Sequence, residues 1–145
     1  MGLDNGIRVQ MNDPDQVIKC RNIYIYYRQY PAVAFDFWSK ELRHDDEIAY
    51  WRKCWNIRND ILAILGGSGG IETYEYKVSY DNLLEIIKIL KSYNRYNWDE
   101  GETQGLWEWR DIKAKLRKQI KTFKRVAAIM RENPNAFTLI FYDSY

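Results

Sequence analysis

Residues 110–142, RDIKAKLRKQIKTFKRVAAIMRENPNAFTLIFY, decide the fold class. Ile112, Leu116, Ile120, Phe123, Ala127 and Met130 recur at three- and four-residue steps, which gathers them on one face of a helix. That helix is expected to begin between Leu106 and Arg110 and to run to Arg131. Asn133-Pro134-Asn135 then stops it, because proline lacks the amide hydrogen that a helix interior needs. Beyond the stop, Phe137–Tyr142 (FTLIFY) is rich in aromatic and branched side chains and reads as a strand. An amphipathic helix running into a strand calls for a sheet against which both can bury their apolar faces.

The rest of the chain fits that picture. Gly6–Met11 alternates Ile7, Val9 and Met11 with polar residues, the period of a strand, and Asn12-Asp13-Pro14-Asp15 reads as a turn. Ile23–Tyr27 (IYIYY) has the composition of a second strand, while residues 28–42, interrupted by Pro31, give no clear pattern. A first helix is expected from about Asp45, with Ile48, Trp51, Trp55, Arg58, Leu62 and Leu65 at helical spacing, ending at Gly66–Gly70. Tyr74, Tyr76 and Val78 alternate with charged residues, so another strand follows. Ser79 then caps a helix through Leu83, Leu84, Ile86, Ile87 and Leu90. Residues 93–105 are polar and read as loop. The expected architecture is a single α+β domain over residues 1–145, with a mostly antiparallel sheet of four or five strands and three helices packed on it.

Composition narrows the chemistry. The 145 residues include six Trp, twelve Tyr and five Phe, but one His and two Cys. Aromatic rings serve packing and binding, whereas proton transfer and metal ligation draw on His, Cys and clustered carboxylates. No catalytic residue, metal site or cofactor is therefore expected. His44 reads as a helix-start residue, Cys20 and Cys54 as structural thiols, and Gly66–Gly70 as a connector. The glycine run lacks the Lys-Ser/Thr sequel of a phosphate-binding loop and follows a helix instead of a strand. No apolar run approaches the ~20 residues that span a bilayer, and the N-terminus lacks a signal-peptide pattern, so a cytoplasmic protein is expected.

Charge is distributed unevenly. The whole chain carries a net +2, yet residues 106–132 hold nine Lys or Arg against three Asp or Glu, leaving the remainder at −4. Stepping ~100° per residue, Arg110, Arg117, Lys118, Lys121, Lys124 and Arg125 fall opposite the apolar stripe. Such a face suits phosphate contacts and equally suits a solvated helix surface. Core packing accounts for most of the aromatic groups. Trp98, Trp107 and Trp109, however, flank a polar loop beside the basic helix, where a ring can stack on a base. The candidate ligand-binding residues are Trp107, Trp109, Arg110, Arg117 and Lys121, with Trp51, Arg52 and Arg58 as a second wall.

Four segments together resemble a family of small phage and prophage proteins that begin Met-Gly-Leu-Asp and carry a Tyr-Trp-Arg-Lys helix. They are Met1–Asp4, Glu47–Lys53 (EIAYWRK), Tyr76–Ser79 leading into Leu83 and Leu84, and the closing Phe141–Tyr145 (FYDSY). The chain departs from that family at Asn5-Gly6, where its members commonly continue Met-Tyr-Leu, and in its middle loop. The resemblance implies a phage-encoded accessory protein of the bacterial host cytosol that antagonises bacterial immunity. It supplies no site residue. The leading expectation is a non-catalytic binder that sequesters a nucleotide-type immune signal, an anionic small molecule. The alternative is a protein–protein inhibitor of a host defence or nucleic-acid-processing complex, and an enzyme degrading the signal comes last. A homo-oligomer is compatible with either of the first two, since a pocket shared between copies would bury aromatics that one small domain cannot.

Overall fold

A computed structural model describes residues 3–11, 17–20, 23–26, 47–67, 74–135 and 137–144. Four strands form the main sheet: β1 (Asp4–Met11), β4 (Glu47–Arg52), β5 (Tyr74–Val78) and β6 (Phe137–Ser144), in the order β4-β1-β6-β5. Every neighbouring pair is antiparallel. β1 and β6 pair along their whole length, from Asp4 opposite Ser144 to Met11 opposite Phe137. The segments expected to be the first strand and the terminal strand thus form the centre of the sheet. Two further strands, β2 (Val17–Cys20) and β3 (Ile23–Tyr26), pair with each other in a separate ribbon.

Strand periodicity assigns each residue of the sheet to a face. Asn5, Ile7 and Val9 of β1 share one face with Trp51 of β4 and with Leu139, Phe141 and Asp143 of β6, and all of them are buried. Three helices pack there among the described residues: α1 (Trp55–Leu65), α2 (Tyr80–Ser92) and α3 (Trp109–Glu132). Their inward residues, among them Ile57, Ile61, Leu83, Ile86, Leu90, Ile112, Leu116, Phe123 and Val126, merge with the sheet into one core. The fold is the α+β arrangement read from the sequence, with four strands in the main sheet.

The opposite face is polar. Tyr50 Oη donates to Asp4 Oδ1 at 2.6 Å, Tyr142 Oη donates to Glu47 Oε2 at 2.7 Å, and Arg8 forms an ion pair with Glu75. Gly6 lies opposite both Tyr50 and Tyr142. A methyl group there would come within 2.6 Å of both the Ala49 carbonyl oxygen and the Tyr142 ring. The glycine is what lets the Tyr142 ring lie across the central strand.

Helix ends follow local chemistry. Ser79 Oγ accepts the Asn82 amide at 3.1 Å and so caps α2, as its position in the sequence implies. Gly66 closes α1 in the left-handed region (φ 72°). The apolar stripe of α3 is as expected except that Ile120 is only half-buried, while Gln119 and Thr122 join the buried face.

Three local readings change. The helix expected from Asp45 begins only at Trp55, and Glu47–Arg52 before it is strand β4. The six residues EIAYWR suit either structure locally, and pairing with β1, more than forty residues away, decides for the strand. Lys53 (φ 52°) turns the chain, and Cys54 occupies the N-cap position of α1 without a side-chain hydrogen bond to the helix. Residues 100–103, read as loop, form a short 3₁₀ turn capped by Asp99, whose carboxylate accepts the Gly101 amide at 2.9 Å. Strand β2 was not foreseen. The expected turn at 12–15, Tyr27, residues 28–42, His44, Asp45 and Ser68–Gly70 lie outside the described residues.

Candidate ligand-binding site

The segment leading into α3 is a built structure. Asn94 Oδ1 accepts the amides of Tyr96 and Asn97, which turns the chain after α2. Thr103 Oγ1 donates to the Glu100 carbonyl at 2.8 Å and accepts the Trp107 amide at 3.2 Å. Trp98 is the anchor. It is buried, meets Tyr93 edge-on at 5.4 Å and Trp109 at 6.2 Å, and donates its indole N–H to the Trp107 carbonyl at 3.0 Å. Trp98 is therefore committed to the core, while Trp107 and Trp109 remain half-buried at its edge.

Trp107 is held from two further directions. Its indole N–H donates to the Arg52 carbonyl at 3.1 Å, tying the α3 approach to the end of β4. The Lys115 ammonium stands 4.8 Å from the Trp107 ring centre and 5.6 Å from that of Tyr50. Arg52, Tyr50, Trp107 and Lys115 thus form one cluster of rings and cations, with Arg52 and Tyr50 exposed. Tyr50 and Lys115 were missed in the sequence. Lys115 lies in line with buried Thr122 and Val126 on the inward side of the first turns of α3, half-buried, and Tyr50 sits on a strand where the sequence suggests a helix.

The outward face of α3 carries Arg110, Arg117 and Lys121, all exposed. Arg110 lies near Glu108 (3.6 Å) and Asp111 (3.9 Å), so its charge is partly answered. Among the described residues no carboxylate pairs with Arg117 or Lys121. Helical geometry separates this row from Lys115 by roughly 120–160° about the axis. The candidate residues therefore fall into two neighbouring groups: a ring-and-cation cluster at the start of α3, and a cationic row along it.

Two residues of the second wall are structural. Trp51 is fully buried, donates its indole N–H to Gln119 Oε1 at 2.8 Å and meets Phe123 edge-on at 6.4 Å. Its aromatic surface is occupied by the core and presents none to a ligand. Arg58 is 9% exposed and grips Asp143 with two hydrogen bonds of 2.9 Å each, one to each carboxylate oxygen. Its guanidinium also lies 5.3 Å from the Trp55 ring. Helical spacing places Arg58 on an inward face and leaves open what it meets there, whereas Trp51 faces inward through strand pairing. Only Arg52 of that wall reaches solvent, where it joins the Trp107 cluster.

The site offers binding groups and few reactive ones. Burial pushes the Cys54 thiol up to about 12, and burial together with the hydrogen bond to Asp4 pushes the Tyr50 hydroxyl up to about 12, so both stay protonated near neutral pH. Among the described residues no group of three or more His, Cys, Asp or Glu could hold a metal ion, and no helix is long and apolar enough to cross a membrane. Compared with protein families, curated proteins and solved structures, the chain matches none.

Proposed function

We propose that the protein is a phage-encoded binder that captures a nucleotide-type signal of bacterial immunity without altering it chemically. The observation that carries this reading is a ring-and-cation cluster at the start of α3 with a cationic row running from it to the middle of the helix. Half-buried Trp107 stands with Arg52 and Lys115, and half-buried Trp109 lies nearby against Trp98. The unneutralised Arg117 and Lys121 continue along the outward face of the helix. A base or adenosine ring can rest against the exposed aromatic edge, while phosphates meet the cations. Equilibrium capture needs affinity and no turnover, which suits the protonated thiol and phenol of this neighbourhood.

A thermal-shift panel of cyclic oligonucleotides and ADP-ribose derivatives tests it. At a concentration ~100 times the dissociation constant, mass action adds about 2.7 kcal/mol, a rise of roughly 5–10 °C for a chain of this size. At least one member of the panel is expected to give that rise and to be recovered intact by chromatography after heating. A flat panel rejects the reading, and consumption of the ligand makes the protein an enzyme.

A further inference from the structure

Away from the Trp107 cluster, α2 and α3 leave an open groove of about 630 Å³ between them. Leu84 and Ile87 of α2 and Ala127 and Ala128 of α3 give it an apolar floor, and the cations Lys91, Lys124 and Arg131 stand against a lone carboxylate, Glu132. The spacing is regular on both walls. Leu84, Ile87 and Lys91 follow one another at i, i+3 and i+7, as do Lys124, Ala127 and Arg131, so each helix presents apolar rungs beside a cation. Leu84 is 42% exposed.

The charges are uncompensated. Lys91 and Lys124 stand close together, and the neighbouring Lys124 amine holds Lys91 below the usual lysine range. Among the described residues neither lysine, nor Arg131, has a carboxylate partner. Two adjacent ammonium groups repel until an anion comes between them, so an occupant of this groove gains by bringing carboxylates. The alanines keep one wall low, which allows another backbone to come close. An open trough between two helices is also the shape that accepts a third helix along its apolar edge.

We propose that the α2–α3 groove is the docking site for an acidic amphipathic helix of a partner protein, its apolar edge on Leu84, Ile87, Ala127 and Ala128 and its carboxylates on Lys91, Lys124 and Arg131. This site is separate from the Trp107 cluster and stands or falls independently of the nucleotide reading.

The test uses amide NMR spectra of the full chain and three probes. One is a synthetic helical peptide with Leu at i, i+3 and i+7 and Glu on both flanks, one is its Lys-flanked counterpart, and the third is ADP. The acidic peptide is expected to shift the amides around Leu84, Lys91, Lys124 and Ala128, and the basic peptide to leave them unmoved. Lys91→Glu, an exposed change on α2, is expected to weaken the acidic peptide about tenfold. Leu84→Ser is expected to weaken it with the charges intact, and unchanged melting temperatures show that both variants fold. The proposal is overturned if the acidic peptide fails to bind at about 1 mM, if both peptides bind alike, or if Lys91→Glu binds as the native chain does. ADP moving these same amides in place of the acidic peptide overturns it too, and assigns the groove to a small anion.

Discussion

Replacing Asp143 by Ala is expected to destabilise the protein by about 3–5 kcal/mol, read as a fall in the urea midpoint at constant slope. Asp143 is fully buried, and its two oxygens take both hydrogen bonds from Arg58 while Oδ1 also accepts from Asn5 Nδ2 at 2.6 Å. The change leaves a guanidinium of 10% side-chain exposure with no counter-charge and frees the Asn5 amide as well. Loss of attraction is the smaller part of the cost. The larger part is a charge kept out of water with nothing to replace it. The double change Asp143→Leu with Arg58→Met removes both charges, and it is expected to recover most of the loss. If Asp143→Ala alone costs under about 1 kcal/mol, the pair is not the buried clamp between α1 and β6 that its geometry indicates.

Trp51→Ala is expected to cost a similar amount, about 3–5 kcal/mol, through the cavity left by the largest fully buried side chain among the described residues. Trp51 joins strand β4 to α3, since its ring meets Phe123 and its N–H meets Gln119. Trp51→Phe separates the two contributions. It keeps most of the apolar contact but leaves Gln119 Oε1, on a residue 7% exposed, without its donor, at about 1–3 kcal/mol. Denaturation midpoints of the two variants should therefore fall in the order native, Phe, Ala. Equal midpoints for native and Ala would place Trp51 at the surface, available to a ligand. Total stabilities of about 5–15 kcal/mol mean that either Ala variant removes a large share.

The parts of this fold legible in the sequence are those fixed by local chemistry. The stripe from Ile112 to Met130, the Ser79 cap, the Gly66 stop and the strands at 6–11, 74–78 and 137–142 each carry their signal within a few residues. Strand β4 was hidden because its aromatic run satisfies a helical as well as a strand period, and only its distant partner β1 breaks the tie. The same holds for the site. The solvent-facing row of Arg117 and Lys121 follows from helical geometry alone. Arg58 reads in the sequence as a candidate ligand contact because the carboxylate that binds it lies 85 residues away. Trp51 and Trp107 are the same residue type, and tertiary packing sorts one into the core and the other to its edge. Lys115 became visible only once β4 brought Tyr50 and Arg52 to the start of α3.

Calorimetric titration of the strongest-binding nucleotide of the panel, into the native chain and into Arg117→Glu/Lys121→Glu, bears most directly on intact capture by the α3 surface. Both side chains are exposed, so the variant is expected to melt like the native protein. Two charge-assisted contacts at about 1.5–3 kcal/mol each correspond to a loss of at least about 100-fold in affinity, with the ligand recovered unchanged from the native complex. Undiminished affinity in the variant would contradict capture at this face.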